Sequence, residues 1–541
     1  MRSTLRTGII ALLVSCFYAP PGSADNYPRQ PEIDVQHYVF RVALNDANDE
    51  IAGETTAIIR FVKDGVARIA LDLASPANGK GMTVTEVTVD GAAAEFAHQA
   101  NRLAIELPSA PEAGALRRIT VTYHGIPADG LKIGKNKYGE RCFFSQNWPD
   151  LARQWLPVVD HPYDKASSEF VITAPASYQV VANGFLVEEI SRGDGLRTTH
   201  WKQSAPIATW LNNIGVAQFS ERNFGASAGI PLQDWVFHQD RDAGILTFEA
   251  PMRRAIEFYN DHIGPYPYEK LAAVQNGASN GGGMEHASEI FYGQNTVSGK
   301  PAFGLVAHEI AHQWFGDSVT EKDWDDVWLS EGFATYFALL ATEYYDGRDA
   351  FVAGLKRSRA AIFTAEKRLP GVAVVQTKEW KGIPNGIVYQ KGAWSLHMLR
   401  GQIGSGKFWA GIREYYRRFR DSNASTADFR KVMEEVSASD LGWFFDQWVF
   451  RPGSPVVEGG WTYNRAARKI EIDLTQQQAG DPYRLPLEIG VSTNGAARPR
   501  IEKVEMTQKQ QHFEVPSGQE PVSVELDPDT WMLMDAKFAR R

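Results

Sequence analysis

Cysteine is nearly absent from this sequence: Cys16 and Cys142 are the two in 541 residues. With Cys16 inside an N-terminal apolar stretch, Cys142 is left without a partner once that stretch is removed, so no internal disulfide is expected. Any metal site in the mature chain must then rely on histidine and carboxylates. Long apolar runs are missing too. No segment approaches the 18 apolar residues that a membrane-crossing helix needs, so no transmembrane segment is expected. Positive charge is not in excess; the formal net charge is −9, which argues against nucleic acid as a partner. Internal repeats and long low-complexity tracts are also lacking.

What is present fits a globular chain of two to four domains. Hydrophobic residues make up 43% and charged residues 22%, which is ordinary for a protein with sizeable cores. The N-terminus reads as an export signal. MRSTLR is basic, GIIALLVSCFYA is apolar, and Gly22-Ser23-Ala24 ends in a small-x-small cleavage site. Residues 1–24 are therefore expected to leave, with Asp25 as the mature start and a periplasmic or secreted location. Removal of Arg2 and Arg6 and no acid takes the net charge to −11. An alternative is a lipoprotein signal cleaved before Cys16 and anchored through it.

The hydrophobic period divides the rest. Residues 32 to about 222, within an N-terminal β domain of 25–222, alternate as strands do, with Tyr38, Phe40, Val42 and Leu44 on one face, then Ile119, Val121 and Tyr123. Asp-Gly at 90–91 and 129–130 and Asn-Gly at 183–184 mark turns. From about 223 to 454 the spacing becomes helical. Arg451-Pro452-Gly453-Ser454-Pro455 breaks the chain, and 455–541 return to strands, a small sandwich of about seven. Its inward faces are Ile470, Ile472 and Leu474; Leu487, Ile489 and Val491; and Val522, Val524 and Leu526.

The chemistry concentrates in HEIAHQWFGD, residues 308–317. If 303–315 are helical, His308 and His312 stand one turn apart on one face and can share a tetrahedral zinc. Glu309 projects beside them, in the H-E-x-x-H pattern of zinc hydrolases with the glutamate as general base. The plain alternative is a pair of core histidines. A catalytic zinc needs a third protein ligand, and Glu331 in WLSEGFATYFALL follows His312 by nineteen residues. A loop through KDWDDVW and a second helix packed on the first would deliver it.

HEIAHQWFGD followed by WLSEGFATY resembles the M1 family of zinc aminopeptidases, within the gluzincins. GGGMEH at 281–286 resembles the family's G-x-M-E-N exopeptidase motif. SQNWPDLARQWLPVVDHPYDKASSEFVITAP at 145–175 resembles its N-terminal signature, and IVYQKGA at 387–393 the segment with the catalytic tyrosine. The motifs come in family order over residues 32 to about 455. The resemblance implies a multidomain α+β architecture: an N-terminal β saddle, a thermolysin-like catalytic domain and a C-terminal β-sandwich, in a short form without the family's C-terminal helical domain. It implies one zinc held by His308, His312 and Glu331, with Glu309 as base and Tyr389 as oxyanion donor. Glu285 would hold the substrate's α-ammonium beside the backbone of Gly282, Gly283 and Met284. Trp148 stands where a second amine-binding Glu or Gln is common, and His286 replaces asparagine. Trp314 and Asp317 are expected to support the zinc helix.

The reading is a zinc aminopeptidase acting on peptides with a free N-terminal amine. The alternatives are a zinc endopeptidase in an open cleft and a non-catalytic scaffold of the same fold.

Overall fold

The structure, a computed structural model, describes residues 25–376, 382–495 and 498–541. The expected leader, with Cys16, lies outside the described residues. The N-terminal part is built from strands. The first long strand, Ile33–Ala43, pairs antiparallel with Ile51–Phe61 and parallel with Lys165–Pro175 inside an eight-stranded sheet. Tyr38, Phe40, Val42 and Leu44 are buried, as are Ile119, Val121 and Tyr123, because a strand turns alternate side chains to one face. The Asp90-Gly91 turn has both residues at positive φ, 51° and 85°, as a two-residue hairpin demands. A four-stranded sheet (Gln179–Ala182, Ile214–Ala217, Arg141–Ser145, Leu131–Lys135) carries the chain toward the site.

Strands give way to helices later than position 223. Phe219–Ser227 crosses that position and pairs with Ile230–Phe237. The first helix, α1 (Arg241–His262), begins ten residues before Pro251, which sits inside it. Two signals were misleading there. The hairpin turns through Ala228 and Gly229, without the usual Asn-Gly or Asp-Gly. Pro251 also masks a helix that continues through it.

The middle of the chain joins a five-stranded sheet to a helical layer. The sheet runs Phe219–Ser227, Ile230–Phe237, Leu271–Asn276, Glu289–Gly293, with Gly283–Met284 at the edge. The helices are α2 (Phe303–His312), α3 (Trp328–Asp346), α4 (Arg348–Arg368), α5 (Gly392–Ile403), α6 (Ser405–Phe419), α7 (Thr426–Ser437) and α8 (Gly442–Phe445). A Ser425/Asp428 capping box starts α7.

Among the described residues the last part has seven strands in sheets of four and three. Ile470, Ile472, Leu474, Leu487, Ile489, Val491 and Val524 are buried as expected. Val522 is not: it is 62% exposed, because the strand begins only at Ser523. Among the described residues, no helix is long and apolar enough to cross a membrane.

Candidate metal centre

Helix α2 ends at His312, three residues short of the expected 315, and the chain turns back at Gly316 with φ of 119°. A side chain there would strike Ser330 Oγ and crowd His312. Glycine therefore lets α3 begin against the end of α2, and Glu331 falls in the first turn of α3. That is also where a helix favours a carboxylate.

The three expected ligands meet. His308 Nε2 and His312 Nε2 are 3.2 Å apart. Glu331 Oε2 lies 3.5 Å from the first and 3.3 Å from the second. Ligands bound to zinc at 2.0–2.1 Å in a tetrahedron stand about 3.3 Å from one another, so the triangle has the size of one zinc coordination face. Its electrostatics agree. His312 Nδ1 faces Phe315 O at 3.3 Å and Ser330 Oγ at 3.0 Å. A proton on Nδ1 leaves the Nε2 lone pair directed at the triangle. Glu331 Oε2 is buried without a hydrogen-bond donor. Two nitrogen lone pairs and an orphaned carboxylate oxygen call for a cation. Burial alone would raise the Glu331 carboxyl, but His312 and His308, when they carry protons, reverse this and hold it at about 2, so positive charge at the triangle, from protons or a metal ion, keeps this carboxylate ionised.

Glu309 is 4% exposed, and its carboxylate comes within 4.8 Å of ligand atoms of His312 and Glu285. A Cβ on Gly283 would collide with its carboxylate. Gly283 is thus required by the approach of Glu309, a reason the motif itself does not disclose. Burial, with Glu285 and Glu331 nearby, pushes the Glu309 carboxyl up. Glu285 is 3% exposed, its Oε1 is 3.9 Å from His312 Nδ1, and burial raises it to about 7.

Tyr389 belongs to a π-helical turn, Gly386–Lys391, ahead of α5; such turns are frequent at functional positions. Gly332 on α3 faces Gly392 on α5, where a Cβ would stand 3.0 Å from the opposing backbone. The close crossing sets Tyr389 beside Glu331. The ring stacks on His308 at 6.2 Å, with 7° between planes. Burial and the acids around it raise the phenol's pKa, so it stays a donor.

Gly283–Met284 pairs with Phe291 and Tyr292 as the sheet's edge strand, and Gly282 has φ of 81°. His286 is fully buried against Phe291, and burial takes it down to about 3, so it is neutral. Trp148 packs edge-to-face on Trp324 at 6.3 Å. The polar side chain of that segment that reaches the motif is Gln146, with Nε2 3.2 Å from Met284 Sδ. Sequence reasoning passed over Gln146, and also Gln313. The Gln313 Nε2 donates to Glu285 O (2.9 Å) and Asp317 Oδ2 (2.8 Å), and its Oε1 accepts from Ser288 N (2.8 Å). Gln313 thus ties the histidine helix to the strand end bearing Glu285. Asp317 and Trp314 are buried supports as expected, and Trp314 Nε1 donates to Gly264 O.

Comparison with known proteins places these features in context. Residues 34–211 match the peptidase M1 N-terminal domain model, and residues 248–448 match the peptidase family M1 domain model. Mouse (Mus musculus) glutamyl aminopeptidase is 28% identical over 365 residues, which cover 64% of this chain and 38% of that protein. Aminopeptidase N of Haemonchus contortus is 28% identical over 344 residues, 58% of this chain and 35% of that protein. The chain thus spans less than half the length of these curated relatives. A crystal structure of an M1 zinc metallopeptidase from Deinococcus radiodurans superposes with a TM-score of 0.67 at 27% identity, covering 77% of this chain and 93% of that one. A mutant of that enzyme bound to the substrate Tyr-Ser-Ala gives 0.68 at 26% identity, covering 78% and 94%.

Proposed function

The chain belongs to peptidase family M1, and from that premise we propose that it is a zinc-dependent aminopeptidase that removes N-terminal residues from peptides. The observation that carries this reading is the pairing of two sites. The His308–His312–Glu331 triangle has zinc dimensions, and the buried Glu285 carboxylate stands on the His312 side of it. Zinc, when bound, would polarise the scissile carbonyl and make water acidic enough to lose a proton near neutral pH. Glu309 takes that proton and passes it to the leaving nitrogen. The Tyr389 hydroxyl donates to the oxyanion that forms as the carbonyl is attacked. Glu285 holds the α-ammonium, which fixes the cut at the first peptide bond. The edge strand Gly283–Met284 has free backbone groups for an extended substrate to pair with. Trp148 supplies a π surface near the amine end, worth roughly 0.5–2 kcal/mol to an ammonium over its face.

Recognition of a free amine is the finer part of this proposal. Its test is the ratio of kcat/KM for a free-amine peptide to that for its N-acetylated twin. A large ratio that collapses in Glu285→Ala, with a smaller change in Trp148→Ala, is the expected result. A ratio near one in the wild-type protein, unchanged in Glu285→Ala, would make the enzyme an endopeptidase with the same metal chemistry.

Export after cleavage at Ala24 is likewise proposed, on the pattern of residues 1–24. Mass spectrometry of the mature protein should find Asp25 first. A lipid-bearing Cys16 at the N-terminus would replace this with the anchored form.

A further inference from the structure

A cavity of about 520 Å³ opens at His308 of the metal triangle, whereas Glu285 stands by His312. His308, Tyr389 and Arg357 of α4 all line it. None of its lining residues is acidic, although the chain carries 65 Asp and Glu. Among the described residues Arg357 has no ion pair or hydrogen bond. Two other polar groups on the wall can also donate. Thr335 Oγ1 is buried with no partner. Gln390 commits its carbonyl oxygen to Ser358 Oγ at 2.6 Å, which leaves its N–H groups for an occupant. A wall of one guanidinium and neutral donors suits an acceptor with negative charge, and a carboxylate is the form a peptide offers.

Position along α3 gives the reach. Glu331, Thr335 and Leu339 recur every four residues and so share one helix face. A Cβ on Gly354 would collide with Leu339 and stand 3.8 Å from an Arg357 guanidinium nitrogen, so the guanidinium is level with Leu339. Eight residues of helix separate Leu339 from Glu331, on the order of 12 Å. An extended peptide covers about 3.3–3.5 Å per residue. With the amine held at Glu285, the leaving segment runs past His308 and Tyr389 into this cavity. Its third or fourth residue then arrives at Arg357.

We infer that Arg357 is the downstream anchor of the site, a specificity residue that binds a carboxylate three to four residues past the cleaved bond, which makes tetra- and pentapeptides the preferred substrates. This deepens the aminopeptidase reading and rests on it for the direction of the peptide. The carboxylate has two possible sources, the C-terminus of a short peptide or an acidic side chain at that place in a longer one.

The test compares a tetrapeptide acid, its C-terminal amide, and an amide whose last residue is glutamate. In the wild-type protein the acid should exceed the plain amide by about tenfold in kcat/KM, mainly through KM. In Arg357→Ala the ratio should fall to about one, and in Arg357→Glu it should invert. Recovery of rate by the glutamate-bearing amide would identify the side chain as a sufficient source; no recovery would assign the C-terminus. Equal rates for acid and amide in the wild-type protein, or a ratio that persists in Arg357→Ala, would overturn the inference. Aminoacyl p-nitroanilides, which have no downstream segment, separately report the aminopeptidase reaction. If they and the free-amine peptides are not cut, that reading fails. Calorimetric binding of the acid and the amide to the zinc-loaded wild-type protein then still decides Arg357: equal affinities sink it, and tighter binding of the acid that Arg357→Ala abolishes supports it.

Discussion

Among the described residues three groups combine histidine with carboxylates; one, Glu285 with Glu309 and His312, shares His312 with the metal triangle, and the two separate clusters are chemically opposite. His308, His312 and Glu331 bring ligand atoms together, and so do Asp25, His161 and Asp323. In the first cluster the atoms face one another, and Glu331 Oε2 has no donor. In the second, each acid already meets a cation or a proton. Asp25 Oδ2 lies 2.5 Å from His161 Nε2, Arg29 pairs with Asp323 and comes within 4.0 Å of Asp25, and Tyr27 stacks on His161 at 4.7 Å. Donor identity alone does not make a metal site. Uncompensated lone pairs do, and a guanidinium in the neighbourhood removes them. The second cluster is better understood as a strap that holds Asp25–Arg29 onto the loop leading to α3.

Metal content breaks this comparison most directly. The protein should hold about one tightly bound zinc per chain, and a strong chelator should abolish peptide hydrolysis until zinc is restored. Glu331→Ala should lose zinc, whereas His161→Ala should keep the full complement. Two zinc ions per chain, the second lost in His161→Ala, would erase the distinction between the clusters. Full activity in a demonstrably metal-free sample would remove the first cluster from the chemistry.

Next in size are changes that spare the ligands. Glu309→Gln and Tyr389→Phe should each reduce kcat by about a hundredfold or more, with zinc content near that of the wild-type protein. Near-normal turnover in Glu309→Gln would assign the base elsewhere. Gly283→Ala should act through Glu309. The added methyl displaces the carboxylate, and a shift of about 1 Å at a reacting group costs roughly ten- to a hundredfold in rate. Zinc content should again hold. If Gly283→Ala lost zinc instead, the glycine would be supporting the ligand helix and not the base.

Legibility differed between parts of the site in a physical way. The His308 and His312 geometry was readable because helix periodicity converts spacing into direction, whereas Glu331, on a second helix, came from its distance after His312 and from the resemblance. Tyr389 and Glu285 were placed only by resemblance, since neither has a spacing that fixes its partners. Gln146 and Gln313 were missed because a glutamine carries no pattern, and its worth lies in contacts made across distant elements. The Arg357 cavity was invisible for the same reason: it exists only where α3 and α4 pack, at Leu339 against Gly354. The strand regions were legible wherever alternation ran for several residues, as at Tyr38 to Leu44. They failed at Ile230–Phe237, where the turn lacked its usual residues.

The smallest expected effect sharpens the other side of the comparison. Burial would raise the Asp25 carboxyl, but the hydrogen bond to His161, the Tyr27 backbone N–H and the charge of His161 outweigh it. The folded value is about 2 against an ordinary 3.8. A carboxyl lowered on folding stabilises the native state when ionised. Its contribution is therefore complete above about pH 4 and disappears as pH falls toward 2. Asp25→Asn removes the charge at every pH. Thermal unfolding of the mature protein should accordingly show the variant less stable than wild type at pH 5 to 7. The gap should narrow below pH 4 and close near pH 2. Breaking a buried pair by removing one partner costs at most about 3–5 kcal/mol; partial exposure of Arg29 and Asp323 puts this network below that range. A gap of constant size from pH 6 to pH 2 would show that the Asn side chain disturbs packing and not charge, and the strap would then owe nothing to the Asp25 carboxylate.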